Sequence, residues 1–481
     1  MNADAVKPFF IYNTLSRKVE EFVPLHPGVV TYYSCGPTVY LPQHLGNMRS
    51  YLFTDTLKRA LRLNGYEVRH VMNITDVGHM TSDQDAGEDK IEKTARAEGR
   101  SPKEVADYYT ELFIHNLEML RIEKPTVPPG QFCRATEHIP DMIALIQRIL
   151  DRGYAYVVHS GVYFDVEKWR GPGRMGRLSR QSLEEQFAEQ RLEHASDKRS
   201  KHDFALWVLN QPGHLMQWDS PWGRGYPGWH IECSAMSMKY LGETLDIHSG
   251  GLDHVPIHHE NEIAQSESAT GKPFVRYFVH NAFLVGMEGA KISKSSGRFP
   301  VLADLVAVGI DPIAFRLFCF GAKYRSELAF SLDAVRAAQR NLDYLTEFAR
   351  GVPDGIAHGA DSDWPQPYFE RFHEALNNDL NTPQALAVVL DLVGESYRRN
   401  DKRIWNTLAR MDTVLGVDFE GIRRRAASER LPAEIEALRA QRDEARKKKD
   451  FARSDALRNE LLARGYEVKD TPAGTVVQRR N

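Results

Sequence analysis

From Val29 to Tyr33 every position is β-branched or aromatic, the composition of a buried strand. Cys35-Gly36-Pro37 ends that run, and a helical period follows from about Met48 to Asn64. Leu52, Phe53, Leu57 and Leu61 fall on one face of it, with Gly65 as the stop signal. Val68 to Ile74 then returns to a strand pattern. Strand, turn, helix and strand in this order predict an α/β fold with a parallel, doubly wound sheet, which binds ligands beyond the carboxyl ends of its strands. Cys35, His44 and Asp76 would all lie at that end.

The pattern changes between about 121 and 225, where Pro125, Pro128, Pro129, Gly130 and Gly171-Pro-Gly173 break it up. This stretch reads as an insertion between two halves of one sheet. Alternation resumes near Pro227: a helix from about Cys233 to Tyr240, a strand Leu245 to Ile247, a loop Ser249-Gly-Gly251, and a helix from about His258. Leu332 to about Leu415 carries Ala, Leu and Arg without strand signals and predicts a helical bundle. In the last fifty residues, Ile435, Leu438, Phe451, Leu457 and Leu461 mark two amphipathic helices around Arg446-Lys-Lys-Lys449. Tyr466-Glu-Val468 and Thr475-Val-Val477 then predict a closing hairpin.

A chain of 481 residues exceeds one core, so several domains are expected. The net charge of −3 makes no global case for nucleic acid, although a local basic face suffices for one. The start, Met1-Asn-Ala-Asp-Ala, lacks the apolar core of a signal peptide, and no segment approaches the roughly 20 apolar residues of a membrane span. Four cysteines are too sparse for a disulfide framework, which suits a reducing cytoplasm.

Cys35, Cys233, His258 and Glu262 carry the donor types zinc prefers, and His258 and Glu262, at i and i+4, share a helix face. Either cysteine alone reads as packing, and the His-His-Glu-Asn-Glu run alone as a solvated face. Taken together, each beside a Gly- or His-rich strand end, they read as one metal site. Cys133 and Cys319 lack polar company and are expected to be buried thiols.

His44-Leu-Gly46-Asn47 lies where strand gives way to a helix N-terminus, a place that favours phosphate. Gly46 leaves room for a purine or ribose, and His44 can donate to a phosphate oxygen as charge builds. Lys291-Ile-Ser-Lys294-Ser295 suits a mobile clamp on a triphosphate, and by itself would be an exposed basic turn. Gly250-Gly251-Leu-Asp253 offers a glycine platform and a carboxylate for ribose hydroxyls, or an ordinary turn.

Cys35-Gly-Pro-Thr-Val-Tyr40, His44-Leu-Gly-Asn47, Asn73-Ile-Thr-Asp76, Gly228-Trp-His-Ile-Glu-Cys-Ser234, His258-His-Glu-Asn-Glu262 and Lys291-Ile-Ser-Lys-Ser295 occur in the order seen in cysteinyl-tRNA synthetases. That family belongs to the class I aminoacyl-tRNA synthetases, with HIGH and KMSKS signatures, and the resemblance spans essentially the whole chain. It implies a Rossmann catalytic domain in two halves, 1–120 and 226–290, split by a connective insertion at 121–225. A KMSKS and stem-contact segment at 291–330, a helical bundle at 331–425 and an anticodon-binding domain at 426–481 would follow. It further implies one Zn²⁺ per subunit on Cys35, Cys233, His258 and Glu262, a cysteine pocket with Gly36, Thr75 and Trp229, and adenosine contacts from Gly251 and Asp253. His44, Asn47, Lys291 and Lys294 would be catalytic. The family pattern is departed from twice: Asn47 replaces the second His of HIGH and cannot become cationic, and Ile292 replaces Met in KMSKS, a volume-similar exchange.

The implied activity is ATP- and Mg²⁺-dependent activation of L-cysteine and its transfer to tRNA(Cys), by a cytoplasmic monomer without membrane contact. Arg446 to Lys449, with Arg442, Arg453 and Arg458, would face tRNA phosphates, or form a solvated charged helix. Two alternatives stand beside this: a cysteine ligase acting on an amino sugar, and a catalytically silent tRNA-binding paralogue.

Overall fold

The computed structural model describes residues 7–77, 89–171, 174–182, 185, 197–211, 213–286, 299–429, 432–471 and 474–479. The signature Lys291 to Ser295 lies outside the described residues.

Eight elements place the site: β1 (Val29–Ser34), α1 (Leu45–Leu63), β2 (Glu67–Ile74), β3 (Cys133–Arg134), α2 (Trp229–Leu241), β4 (Leu245–Gly251), α3 (His258–Thr270) and β5 (Val275–Asn281). The strands form one parallel sheet in the order β5-β4-β1-β2-β3. Chain order reverses between β1 and β4, which opens a crevice beyond their carboxyl ends. Both faces of the sheet are covered. On β1, Val30 and Tyr32 pack with Leu57, Leu61, Ile247 and Val279 on one side, while Tyr33 packs with Val71, Ile231 and Phe278 on the other. A strand buried on both faces has no polar alternation, which is why Val29 to Tyr33 reads as a continuous apolar run.

α1 ends at Leu63, where Gly65 takes a positive φ of 86° that side chains resist. Two features of the sheet differ from the sequence reading. Ser249-Gly-Gly251, expected as a loop, continues β4, pairing with Val279, His280 and Asn281 of β5. The 121–225 interval also supplies β3 to the main sheet, through Cys133 and Arg134 paired with Asn73 and Ile74. A two-residue strand carries no periodicity to detect. Beyond β3, the strands Ala155–Val158, Gly161–Phe164, Phe204–Leu209 and Gly225–Pro227 form a separate antiparallel sheet, the last leading directly into α2.

The helices Pro312–Phe320, Gln366–Asn377, Thr382–Arg399 and Trp405–Leu415 follow. Residues 1–345 and 354–417 form one compact unit; 346–353 and 418–481 form the other. In the second unit, the helices Ala433–Lys447 and Phe451–Ala463 pack with the hairpin Tyr466–Thr471/Gly474–Arg479 around Ile435, Leu438, Leu457, Leu461, Tyr466 and Val477. Arg446 to Lys449, Arg453 and Arg458 are exposed. Arg442, expected on that basic face, is buried and donates to Thr475 Oγ1 at 2.5 Å. It lies on the side of its helix that the hairpin covers.

Candidate active site

Three elements converge at the crevice. Cys35 follows β1, Cys233 lies one turn into α2, and His258 and Glu262 open α3. One donor atom from each lies within 4.8 Å of the others. His258 Nε2 is 2.9 Å from Glu262 Oε1, and His248 Nε2, from β4, is 2.7 Å from Glu262 Oε2. Cys233, His258 and Glu262 are buried, and Cys35 is partly exposed toward the cavity. Cys133 and Cys319 are buried elsewhere.

The protonation pattern shows what this donor set lacks. A hydrogen bond from Cys35 draws the Cys233 thiol down to about 6, while burial pushes Cys35 up. Burial opposes protonation of His258, yet Glu262 and Cys233 push it up to about 10. Burial would raise Glu262, but His248 and His258 hold it well below the usual carboxylate range. Thiolate and carboxylate therefore draw a proton onto a buried imidazole. A divalent ion neutralises the same charge and releases that proton. Two sulfurs, one nitrogen and one oxygen, close together and shielded from bulk water, fit zinc.

Sequence reasoning missed the histidines around these donors. Besides His248, His259 Nε2 lies 3.5 Å from Cys35 Sγ, and its Nδ1 is 2.8 Å from His280 Nε2. Cys35, His248, His259 and Glu262 form an overlapping cluster of possible ligands. The adjacent His258-His259 pair was the one available signal, but only the packing of β4, α3 and β5 reveals which histidines meet.

A cavity of about 390 Å³ opens from this cluster. Gly36, Thr75 and Trp229 line it beside the metal-ligand candidates, and His44, Asn47, Gly251 and Asp253 line it further along. A Cβ on Gly36 would sit 1.7 Å from Asn73 O, so no side chain fits there. Asn73 Oδ1 accepts from Gly36 N at 2.7 Å, and its amide donates to Thr75 Oγ1 at 3.0 Å. Thr75 Oγ1 in turn donates to buried Glu232 at 3.0 Å. The Trp229 ring lies 4.5 Å from that of His258. Asp76, at the same end of the sheet, is taken up by Arg134 and Thr136.

His44 and Asn47 cap α1 reciprocally. His44 Nδ1 accepts from Asn47 N at 3.2 Å, and Asn47 Oδ1 accepts from His44 N at 3.3 Å. With Nδ1 accepting, neutral His44 carries its proton on Nε2, and Asn47 keeps its amide N–H groups for other partners. Burial lowers the His44 pKa, which favours that neutral form. These residues also line a second cavity of about 380 Å³, with Gly46, Gly251, Asp253, Phe283 and Phe299.

Comparison with known proteins accords with this geometry. Residues 21–340 match the catalytic domain of class I (C) tRNA synthetases, 371–420 a DALR domain, and 428–477 the cysteinyl-tRNA ligase anticodon binding domain. A methionyl-tRNA synthetase of Mycobacterium tuberculosis, solved with methionyl-adenylate, shares the fold with a TM-score of 0.55 at 16% identity, over 83% of this chain and 90% of that one. The chain belongs to the class I aminoacyl-tRNA synthetases. A cysteine–tRNA ligase of Chlorobium chlorochromatii is 44% identical over 97% of this chain and 98% of that protein. One of Burkholderia lata is 45% identical over 97% and 96%. Within the class, the family is that of the cysteine–tRNA ligases, and the protein is an enzyme of that family.

Proposed function

We propose that the protein makes cysteinyl-adenylate at this crevice and passes the cysteinyl group to tRNA(Cys). The observation that carries the proposal is one cavity lined both by Cys35, Cys233 and His258 of the donor cluster and by His44 and Asn47 of a capped helix N-terminus. A carboxylate oxygen of L-cysteine attacks the α-phosphorus of ATP, and pyrophosphate leaves with the bonding electrons. A terminal ribose hydroxyl of the tRNA then attacks the cysteinyl carbonyl, and AMP leaves.

His44 Nε2–H and the Asn47 amide donate to phosphate oxygens as negative charge builds. Lys294, assisted by Lys291, clamps the triphosphate, a role assigned from the sequence motif. Gly251 and Asp253 hold the ribose, with Gly46 beside the base. Gly36, Thr75 and Trp229 orient the amino acid. Cys35, Cys233, His258 and Glu262 would hold zinc, which supplies a thiophilic position that a serine hydroxyl fills poorly. Apolar contacts separate such isosteres by only about 1–3 kcal/mol. Mg²⁺ accompanies ATP.

The segment 291–330 meets the acceptor stem, 331–425 forms the bundle, and 426–481 reads the anticodon with its exposed basic residues. The two catalytic halves are 1–120 and 226–290, with 121–225 connecting them. Among the described residues no helix is long and apolar enough to cross a membrane; a cytoplasmic monomer is proposed. The test is ATP–pyrophosphate exchange with cysteine or serine, followed by charging of purified tRNA(Cys). Equal rates with both amino acids would end the proposed thiol selection. Exchange without charging would favour another acceptor, such as an amino sugar. Deleting residues from about 425 onward should impair charging far more than exchange.

A further inference from the structure

Away from the thiol cluster, the helix Lys90–Glu98 is tied to the segment before α2 by three side chains that the proposed reaction does not use. Asp89 caps that helix, its Oδ1 accepting from Glu92 N at 2.8 Å. Glu92 Oε1 accepts from Leu215 N at 2.7 Å and lies 2.9 Å from His214 Nδ1. The other ring nitrogen, His214 Nε2, is 3.8 Å from Asp89 Oδ2 and has no hydrogen-bond partner among the described residues. Asp89, Glu92 and His214 are 3%, 5% and 9% exposed, so bulk water does not solvate them.

With Nδ1 directed at Glu92, Nε2 of His214 faces a carboxylate oxygen of Asp89. At 3.8 Å a shared proton makes no hydrogen bond. A metal bonded to both atoms at roughly 2.0–2.2 Å spans that gap. A histidine that binds metal through one nitrogen commonly donates from the other to a carboxylate, the arrangement Glu92 provides. One donor atom from each of the three residues lies within 4.8 Å of the others.

We propose that Asp89 and His214, with Glu92 orienting the imidazole, form a second divalent-cation site, independent of the one on Cys35, Cys233, His258 and Glu262. Its donors are nitrogen and carboxylate oxygen without sulfur, a set that suits zinc or manganese. The ion braces two walls of the substrate cavity. Lys90, next to Asp89, lines that cavity, with its ammonium 5.9 Å from the Tyr40 ring centre. The His214 ring lies 4.0 Å from that of Tyr226, tilted against it, and the strand of Tyr226 leads into Trp229.

Cobalt titration of the chelator-stripped, full-length protein tests this. Two equivalents are expected, one with an intense thiolate-to-cobalt charge-transfer band and one with only weak visible bands. Asp89→Asn, Glu92→Gln and His214→Gln should each lose the second equivalent and keep the first, with unchanged circular dichroism. Cys233→Ser should do the reverse; an unmutated protein holding only the sulfur-free equivalent would count against the zinc assignment and leave this site standing. An unmutated protein holding only the thiolate equivalent would overturn the proposal. So would a sulfur-free equivalent that persists in all three variants, which marks an adventitious ion. If the variants misfold, sulfur-free cobalt that zinc displaces one for one from the unmutated protein supports the site, and its absence overturns it.

Discussion

Two buried charged clusters in the catalytic unit are built on opposite principles. Around Asp55 on α1, every charge faces its complement. Arg316 Nη2 and Arg59 Nε each donate to Asp55 Oδ2 at 2.7 Å, and Glu123 N donates to Oδ1 at 3.0 Å. Arg316 also donates to Leu415 O, Leu120 O and Val414 O, and Lys58 Nζ to Glu123 O. At the crevice, Cys35, Cys233, His258 and Glu262 instead turn lone-pair donors toward one another. The first cluster satisfies itself and braces α1 against the helices Pro312–Phe320 and Trp405–Leu415. The second is balanced only when something positive enters. A closed network stabilises; an open one is ready for a ligand.

Removing one partner from each cluster separates the two roles. Arg316→Leu should cost the largest amount, about 3–5 kcal/mol of unfolding free energy in denaturant titrations, because Asp55 stays buried with too little positive charge. Activity per folded molecule should change little. Cys233→Ser should invert that outcome, leaving the unfolding transition of the metal-free protein nearly unmoved. It should lower kcat/KM for cysteine in pyrophosphate exchange by more than about 100-fold, as expected for direct loss of a metal ligand. If both variants lost stability alike, the contrast between the clusters would collapse.

Acid sharpens the comparison. Burial would raise Asp55, but Arg316, Arg59 and Lys58 hold it down from 3.8 to about 2. A carboxylate lowered in the folded state contributes stability that is fully present above its unfolded value and lost as pH falls through its folded one. The contribution is on the order of 2 kcal/mol, disappearing from just above pH 4 down to about pH 2. Asp55→Asn should flatten that part of the stability curve. The smallest effect is expected from His248→Gln, which loosens Glu262 without removing a proposed ligand. About tenfold weaker metal binding in a chelator competition would fit a supporting role, whereas complete metal loss would make His248 a ligand.

Much of the site was legible in the residues, for a local reason. His44 and Asn47 lie at a helix N-terminus that the strand-to-helix change marks, and His258 and Glu262 share one turn, so local sequence suffices to place them. Cys35 and Cys233 needed the motif order as well, since no local rule joins residues nearly two hundred positions apart. His248, His259 and His280 escaped because each reads as an ordinary core histidine until three elements pack together. Asp89, Glu92 and His214 escaped for the same reason, with several strands and helices intervening before His214.

The chain by itself determined the alternation of strands and helices, the cap of α1, the C-terminal helix pair and hairpin, and the types of donor available for metal and phosphate. These are set by side-chain volume, polarity and spacing over a few residues. Tertiary structure alone decided that Ser249 to Gly251 extend a strand and that Cys133 and Arg134 edge the sheet. It also decided that Arg442 turns inward and which imidazoles surround Glu262. Each of those outcomes depends on what a distant segment brings to the same few ångströms, where burial and facing lone pairs change the energy of a group without altering its place in the chain.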